Sequence, residues 1–96
     1  MLKNFVATTT AESDITICSA DSGKELTIMS IMMNGGENGG DVTLKFSTGF
    51  TCGFTIDAED TIVLDNKINL PTGTNLKVNS ATDGVKIMVS AAELTV

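Results

Sequence analysis

The sequence predicts an all-β chain, an antiparallel β-sandwich of about eight short strands, jelly-roll or immunoglobulin-like in kind. Three observations predict it. Apolar residues recur with a period of two rather than 3.6. Turn-forming residues interrupt the apolar stretches about every ten residues. Threonine, isoleucine and valine dominate, with 14 threonines among 96 residues, and β-branched side chains suit a pleated surface. No window carries the spacing of an amphipathic helix.

Taken in order, the strands fall at 2–8, 14–19, 25–33, 41–47, 50–56, 60–64, 67–70, 74–80 and 84–94. Alternation is clearest where Val42, Leu44 and Phe46 interleave with Thr43 and Lys45. It returns where Leu76 and Val78 flank Lys77, and where Val85, Ile87 and Val89 interleave with Lys86 and Met88. Each of these has one wet face and one buried face. Turns separate them at Asp21-Ser22-Gly23-Lys24, Ser47-Thr48-Gly49, Asp57-Ala58-Glu59-Asp60, Pro71-Thr72-Gly73 and Thr82-Asp83-Gly84. The single proline lies in a turn, where its missing N–H costs nothing. Residues 56–64 and 70–78 share a layout of apolar residue, short turn and alternating strand, which reads as two successive corners of one sandwich. The length suits a single domain, 1–96, with residues 1–13 serving as an N-terminal arm or a linker.

One strand breaks the alternation. Leu26-Thr27-Ile28-Met29-Ser30-Ile31-Met32-Met33 is apolar on both faces. Strict alternation puts Ile28 and Met32 in the core, and Met29, Ile31 and Met33 on the opposite face. That second face is either covered by a terminal segment or meets another subunit, since large exposed apolar patches are uncommon on monomers. Met29, Ile31 and Met33 are therefore the candidate oligomer interface.

Absences bound the function. The chain has no His, Arg, Trp, Tyr or Gln, and its net charge is −6 with a pI near 4.2. Six lysines do not neutralise a nucleic-acid backbone, so no nucleic-acid partner is expected. Without His, the usual acid–base group near neutral pH is missing, and no enzymatic activity, cofactor or metal is expected. Cys18 shares parity with Thr16 and Ala20, opposite Ile15 and Ile17, whereas Cys52 shares parity with Phe54 and Ile56. The two are read as unpaired, reduced thiols. No apolar run has the length of a membrane span, and no signal peptide opens the chain, so synthesis in a cytoplasm is expected.

Two stretches invite a site. Asn34-Gly35-Gly36-Glu37-Asn38-Gly39-Gly40-Asp41 holds four glycines and two acids in eight residues. A phosphate loop would need a Lys-Ser/Thr pair and a helix after the glycines, and here a strand follows. Glu37 and Asp41 supply too few oxygens for calcium. The stretch reads as a connection whose tip, Gly35, Gly36, Glu37 and Asn38, can touch a partner. Asp57, Glu59, Asp60 and nearby Asp65 read as a solvated turn with at most a weak metal affinity.

In its layout the chain resembles small acidic all-β structural proteins of tailed-phage virions. The likeness rests on Asp14-Ile15-Thr16-Ile17-Cys18, the apolar strand Leu26 to Asn34, the hairpin Val42 to Ile56, the unit Leu70-Pro71-Thr72-Gly73-Thr74-Asn75-Leu76-Lys77-Val78, and a last strand running from Val85 to Glu93. It implies a capsid decoration (cement) protein that binds the major capsid protein, or another virion protein at the head–tail junction or tail surface. It also implies a homo-oligomer, usually a trimer, carried in the virion. The competing expectations are a carbohydrate- or ligand-binding module, which the shortage of aromatics disfavours, and a pilus-like subunit, which would be exported.

Overall fold

A computed structural model describes residues 1–96. Nine strands appear in order: β1 (Leu2–Thr8), β2 (Ile15–Ser19), β3 (Lys24–Asn34), β4 (Gly40–Phe46), β5 (Thr51–Ile56), β6 (Thr61–Leu64), β7 (Ile68–Leu70), β8 (Asn75–Ser80) and β9 (Lys86–Thr95). There is no helix. All pairings are antiparallel and build two sheets. Sheet A runs β1-β9-β3-β6, with β7 also paired to β3, and sheet B runs β2-β8-β4-β5.

The pairings decide between the two expected topologies. β4 pairs with β5, β3 with β6 and β7, β2 with β8, and β1 with β9. The chain is thus one long ribbon folded in half at the 47–50 turn and rolled up, so that successive pairs alternate between sheets. This is a jelly roll. An immunoglobulin arrangement would pair the first two strands in one sheet, whereas β1 and β2 lie in different sheets. β6 and β7 occupy one edge position end to end, against Ile31–Asn34 and Leu26–Ile28 respectively. The two similar corners both close with an i+3 to i hydrogen bond, Asp60 N to Asp57 O and Thr74 N to Pro71 O, each 3.1 Å. They carry the chain across the sandwich in opposite directions, from sheet B to A and from A back to B.

Between the sheets lies one cluster of 19 buried apolar residues, fed by alternate positions of nearly every strand. No buried side-chain polar atom lacks a hydrogen-bond partner. Two β-bulges shift the alternation, because an extra residue reverses parity beyond it. The first lies between Thr16 and Cys18 of β2, so Ile17 and Cys18 are both buried. Cys18 therefore faces the core, against the parity expected from sequence. The second lies between Ile28 and Ser30 of β3, where Met29 has no partner on β9. It corrects the reading of the two-faced strand. Ile28 is in the core as expected, but Ile31 and Met33 join it there at 1% and 0% exposure, and Met32 turns out to solvent with Met29.

The first thirteen residues do not form an arm. β1 pairs with β9 along its whole length. Buried Thr9 then locks the following turn: its Oγ1 donates to Thr82 O and accepts from Val85 N. Glu12 N donates to Ser80 O.

Candidate functional site

The two outer faces of the sandwich differ in kind. Sheet B turns out threonine, lysine and asparagine. Across it Lys45 Nζ lies 3.1 Å from Asp14 Oδ1, to which Asn79 Nδ2 also donates at 2.8 Å. Those hydrogen bonds, from Asn79 first and then Lys45, hold the Asp14 carboxyl below the usual carboxylate range. This is an ordinary solvated surface.

Sheet A is not. Its registers align outward residues into rows that cross the strands. Val6 pairs with Met88, Met88 with Met32, and Met32 with Val63. Their exposures are 71%, 37%, 40% and 50%, so an apolar row spans all four strands on the solvent side. The row toward one end, Thr8–Lys86–Asn34–Thr61, is polar, with Asn34 Nδ2 donating to Thr61 Oγ1 at 3.0 Å. The row on the other side is Asn4–Ser90–Ser30, with Ser90 Oγ donating to Asn4 Oδ1 at 2.8 Å. Beyond it come Leu2–Ala92–Thr27–Asn69 and then Leu94–Glu25. Bulged Met29 is exposed next to the Ser30 row.

Of the expected interface residues only Met29 lies on this surface. Ile31 and Met33 are removed from it by the bulge, and Val6, Met32, Val63 and Met88 take their place. Sequence parity already turned Met88 outward beside Lys86 and Ser90. The row as such depends on register between strands far apart in the chain, which no local pattern carries.

The glycine loop is packed rather than slack. Gly35 N donates to Asp60 O at 3.0 Å, Glu59 N to Gly36 O at 2.7 Å, and Gly36 N to Asn34 Oδ1 at 2.9 Å. A Cβ on Gly39 would sit 2.5 Å from Ile56 O and 2.7 Å from Ala58 N. The glycines let three backbones meet at one end of the sandwich. Of the expected contact tip, Gly35 is buried and Gly36 half-buried, which leaves Glu37 and Asn38 exposed. They border a shallow polar recess shared with Glu59, Asp83 and Lys86. Asp57, Glu59, Asp60 and Asp65 are all exposed, and no group of three or more His, Cys, Asp or Glu is arranged to hold a metal ion.

At the other end, Phe46, Phe50, Cys52, Ile68 and Leu70 line a cleft of about 280 Å3 between the edges of the two sheets. Phe50 stands exposed, edge-on to Phe46 at 6.4 Å between ring centres. The cleft is smaller than the roughly 300–1,000 Å3 of ligand pockets and carries few convergent polar groups. Both thiols are free. Burial pushes the Cys18 thiol up to about 11, whereas Cys52 is half-buried at the cleft.

A scan against protein-family models finds no match, and a search of curated proteins finds no relative.

Proposed function

We propose that this chain is a non-enzymatic structural protein of a phage virion, a decoration subunit that strengthens the shell by adhesion. What supports the reading is the jelly-roll ribbon with one polar outer face and one crossed by an exposed apolar row. Viral capsid domains are among the users of that ribbon, and an apolar sheet face suits a molecule that works by contact. In this reading the rigid end bearing Glu37, Asn38, Glu59 and Asp83 meets the shell. Those side chains ride on backbones that are already hydrogen-bonded, so little ordering entropy opposes docking. A subunit that binds the closed shell and not its parts adds its binding free energy to the closed state. Several copies joined together multiply that effect.

The deciding experiment fractionates a lysate of phage-infected cells that produce the chain on a density gradient and locates it by immunogold labelling. Label covering the shell supports decoration, and label at the neck or tail moves the role to a connector or tail-surface protein. Recovery wholly in the soluble fraction would end the virion reading. A Glu37→Lys, Glu59→Lys variant is expected to leave the particle fraction while keeping the wild-type solution mass.

A further inference from the structure

We infer that the outer face of sheet A is a self-complementary surface that pairs two copies of this chain, face to face with their strands antiparallel. The inference does not depend on the virion role.

Five outward rows cross this face, and their order is nearly symmetric. Asn4–Ser90–Ser30 is the middle row. On one side lie the apolar row Val6–Met88–Met32–Val63 and then the row of Lys86. On the other lie Leu2–Ala92–Thr27–Asn69 and then the row of Glu25. A twofold axis along the middle row superposes each strand on its own copy, running the other way. It sets Met88 over Ala92, Met32 over Thr27 and Val6 over Leu2 of the second copy. Large side chains thus meet small ones on the two central strands, as close packing requires. The neutral Ser and Asn row, already hydrogen-bonded within the sheet, lies at the axis.

Charge selects the same arrangement. Two chains of net charge −6 repel. Yet within its strands this face carries only two charged outward residues, Lys86 at one end and Glu25 at the other. Neither has an ion-pair partner in the chain, whose two salt bridges are Lys3–Glu93 and Lys45–Asp14. The antiparallel twofold brings each Lys86 to the end that holds the other copy's Glu25, one strand away and within a lysine's reach. A parallel arrangement would set like charges together. Size agrees as well. The molecule is 41 × 21 × 17 Å, so the face offers at most roughly 860 Å2, close to the ~800 Å2 that one partner contributes to a standard interface. The whole face must therefore engage, the apolar row Val6–Met88–Met32–Val63 and the mixed row Leu2–Ala92–Thr27–Asn69 included.

The test is solution mass by light scattering on a sizing column, with circular dichroism and a thermal melt on every variant to verify folding. Wild type is expected near 20 kDa, about twice the 10.0 kDa chain. Met32→Glu, on an exposed position, is expected to fold and run as a monomer. Lys86→Glu and Glu25→Lys are each expected to weaken association tenfold or more, and the double exchange to restore it. Restoration is a readout that a loss of folding does not imitate. A wild-type monomer, a trimer near 30 kDa, a dimer indifferent to Met32→Glu, or a double exchange that fails to rescue would each overturn the proposal.

Discussion

Replacing Gly39 by alanine separates a packed loop from a flexible one, and three other glycines serve as its controls. Gly39 has φ +66 and would place a Cβ 2.5 Å from Ile56 O. The left-handed conformation costs an alanine about 1–2 kcal/mol, and forcing a methyl into packed backbone costs about 1–3 kcal/mol. Together the loss is about 2–5 kcal/mol, a large part of the ~5–15 kcal/mol that holds a domain folded. Gly35 isolates the steric part: its φ is ordinary, but its Cβ would overlap the Asp57 carbonyl oxygen, so about 1–3 kcal/mol is expected. Gly49 isolates the conformational part, with φ +97 and nothing within 4 Å, for about 1–2 kcal/mol. Gly53 has neither burden, stands in β5 and meets nothing within 4 Å. Alanine there is expected to stabilise by about 0.5–1 kcal/mol. Urea unfolding at constant m-value reads all four. A Gly35→Ala protein as stable as wild type, with Gly39→Ala no worse than Gly49→Ala, would refute the packed loop and return it to the status of a mobile contact segment.

Ile31→Ala and Met33→Ala are each expected to cost about 2–5 kcal/mol in the same assay, whereas Met29→Ala should stay within about 0.5 kcal/mol in monomeric protein; equal costs would put Met29 in the core after all. With a thiol reagent in native buffer, Cys52 at its cleft is expected to react and Cys18 only after urea is added. A Cys52→Ser variant that still labels at the original rate would contradict the burial of Cys18. The pH dependence has a definite sign. The Asp14 carboxyl is lowered by Asn79 and Lys45, and that of Glu93 by Lys3. Their stabilisation is therefore complete above the unfolded carboxyl range near pH 4 and fades as pH falls through the lower folded values. Asp14→Asn and Glu93→Gln should flatten the urea midpoint between about pH 2 and 5, and a midpoint that rises with acid would refute the assignment.

The strands were legible because each is defined locally. Val42, Leu44 and Phe46 alternate with Thr43 and Lys45, and the boundaries follow from turn residues such as Gly23, Gly49 and Gly73. All nine strands lie within a residue or two of their expected spans. Parity failed at two places for one reason. A bulge is a property of a strand and its partner together, and nothing in Ile28-Met29-Ser30 announces that β9 will skip Met29. That single extra residue exchanged Met32 for Ile31 and Met33, and with them most of the candidate surface. Topology was out of reach for a related reason. The β1–β9 register joins Leu2 to Ala92, a separation that no window of sequence spans. The apolar row on sheet A inherits three such registers.

The defended edges of the two sheets explain why association belongs to a face. An open edge invites further strands unless it is bent, broken or charged. β2 is bulged. The far edge of sheet A is split into β6 and β7 by Asp65-Asn66-Lys67, too short on either side to template a neighbour. β5 carries Gly53 at its centre, a weak position for strand pairing. β1 is an edge too, but its inward Lys3 is tied 2.9 Å from Glu93. Edge pairing would also be open-ended, since each added copy exposes another edge. A twofold contact through the Met88–Met32 row consumes the apolar surface on both partners and closes. The expected consequence is a mass that saturates at the dimer as concentration rises, with no species beyond it. Growth without limit would instead locate the contact on β1 or β5, and substituting a lysine for outward Thr55 or Asn4 would then stop it.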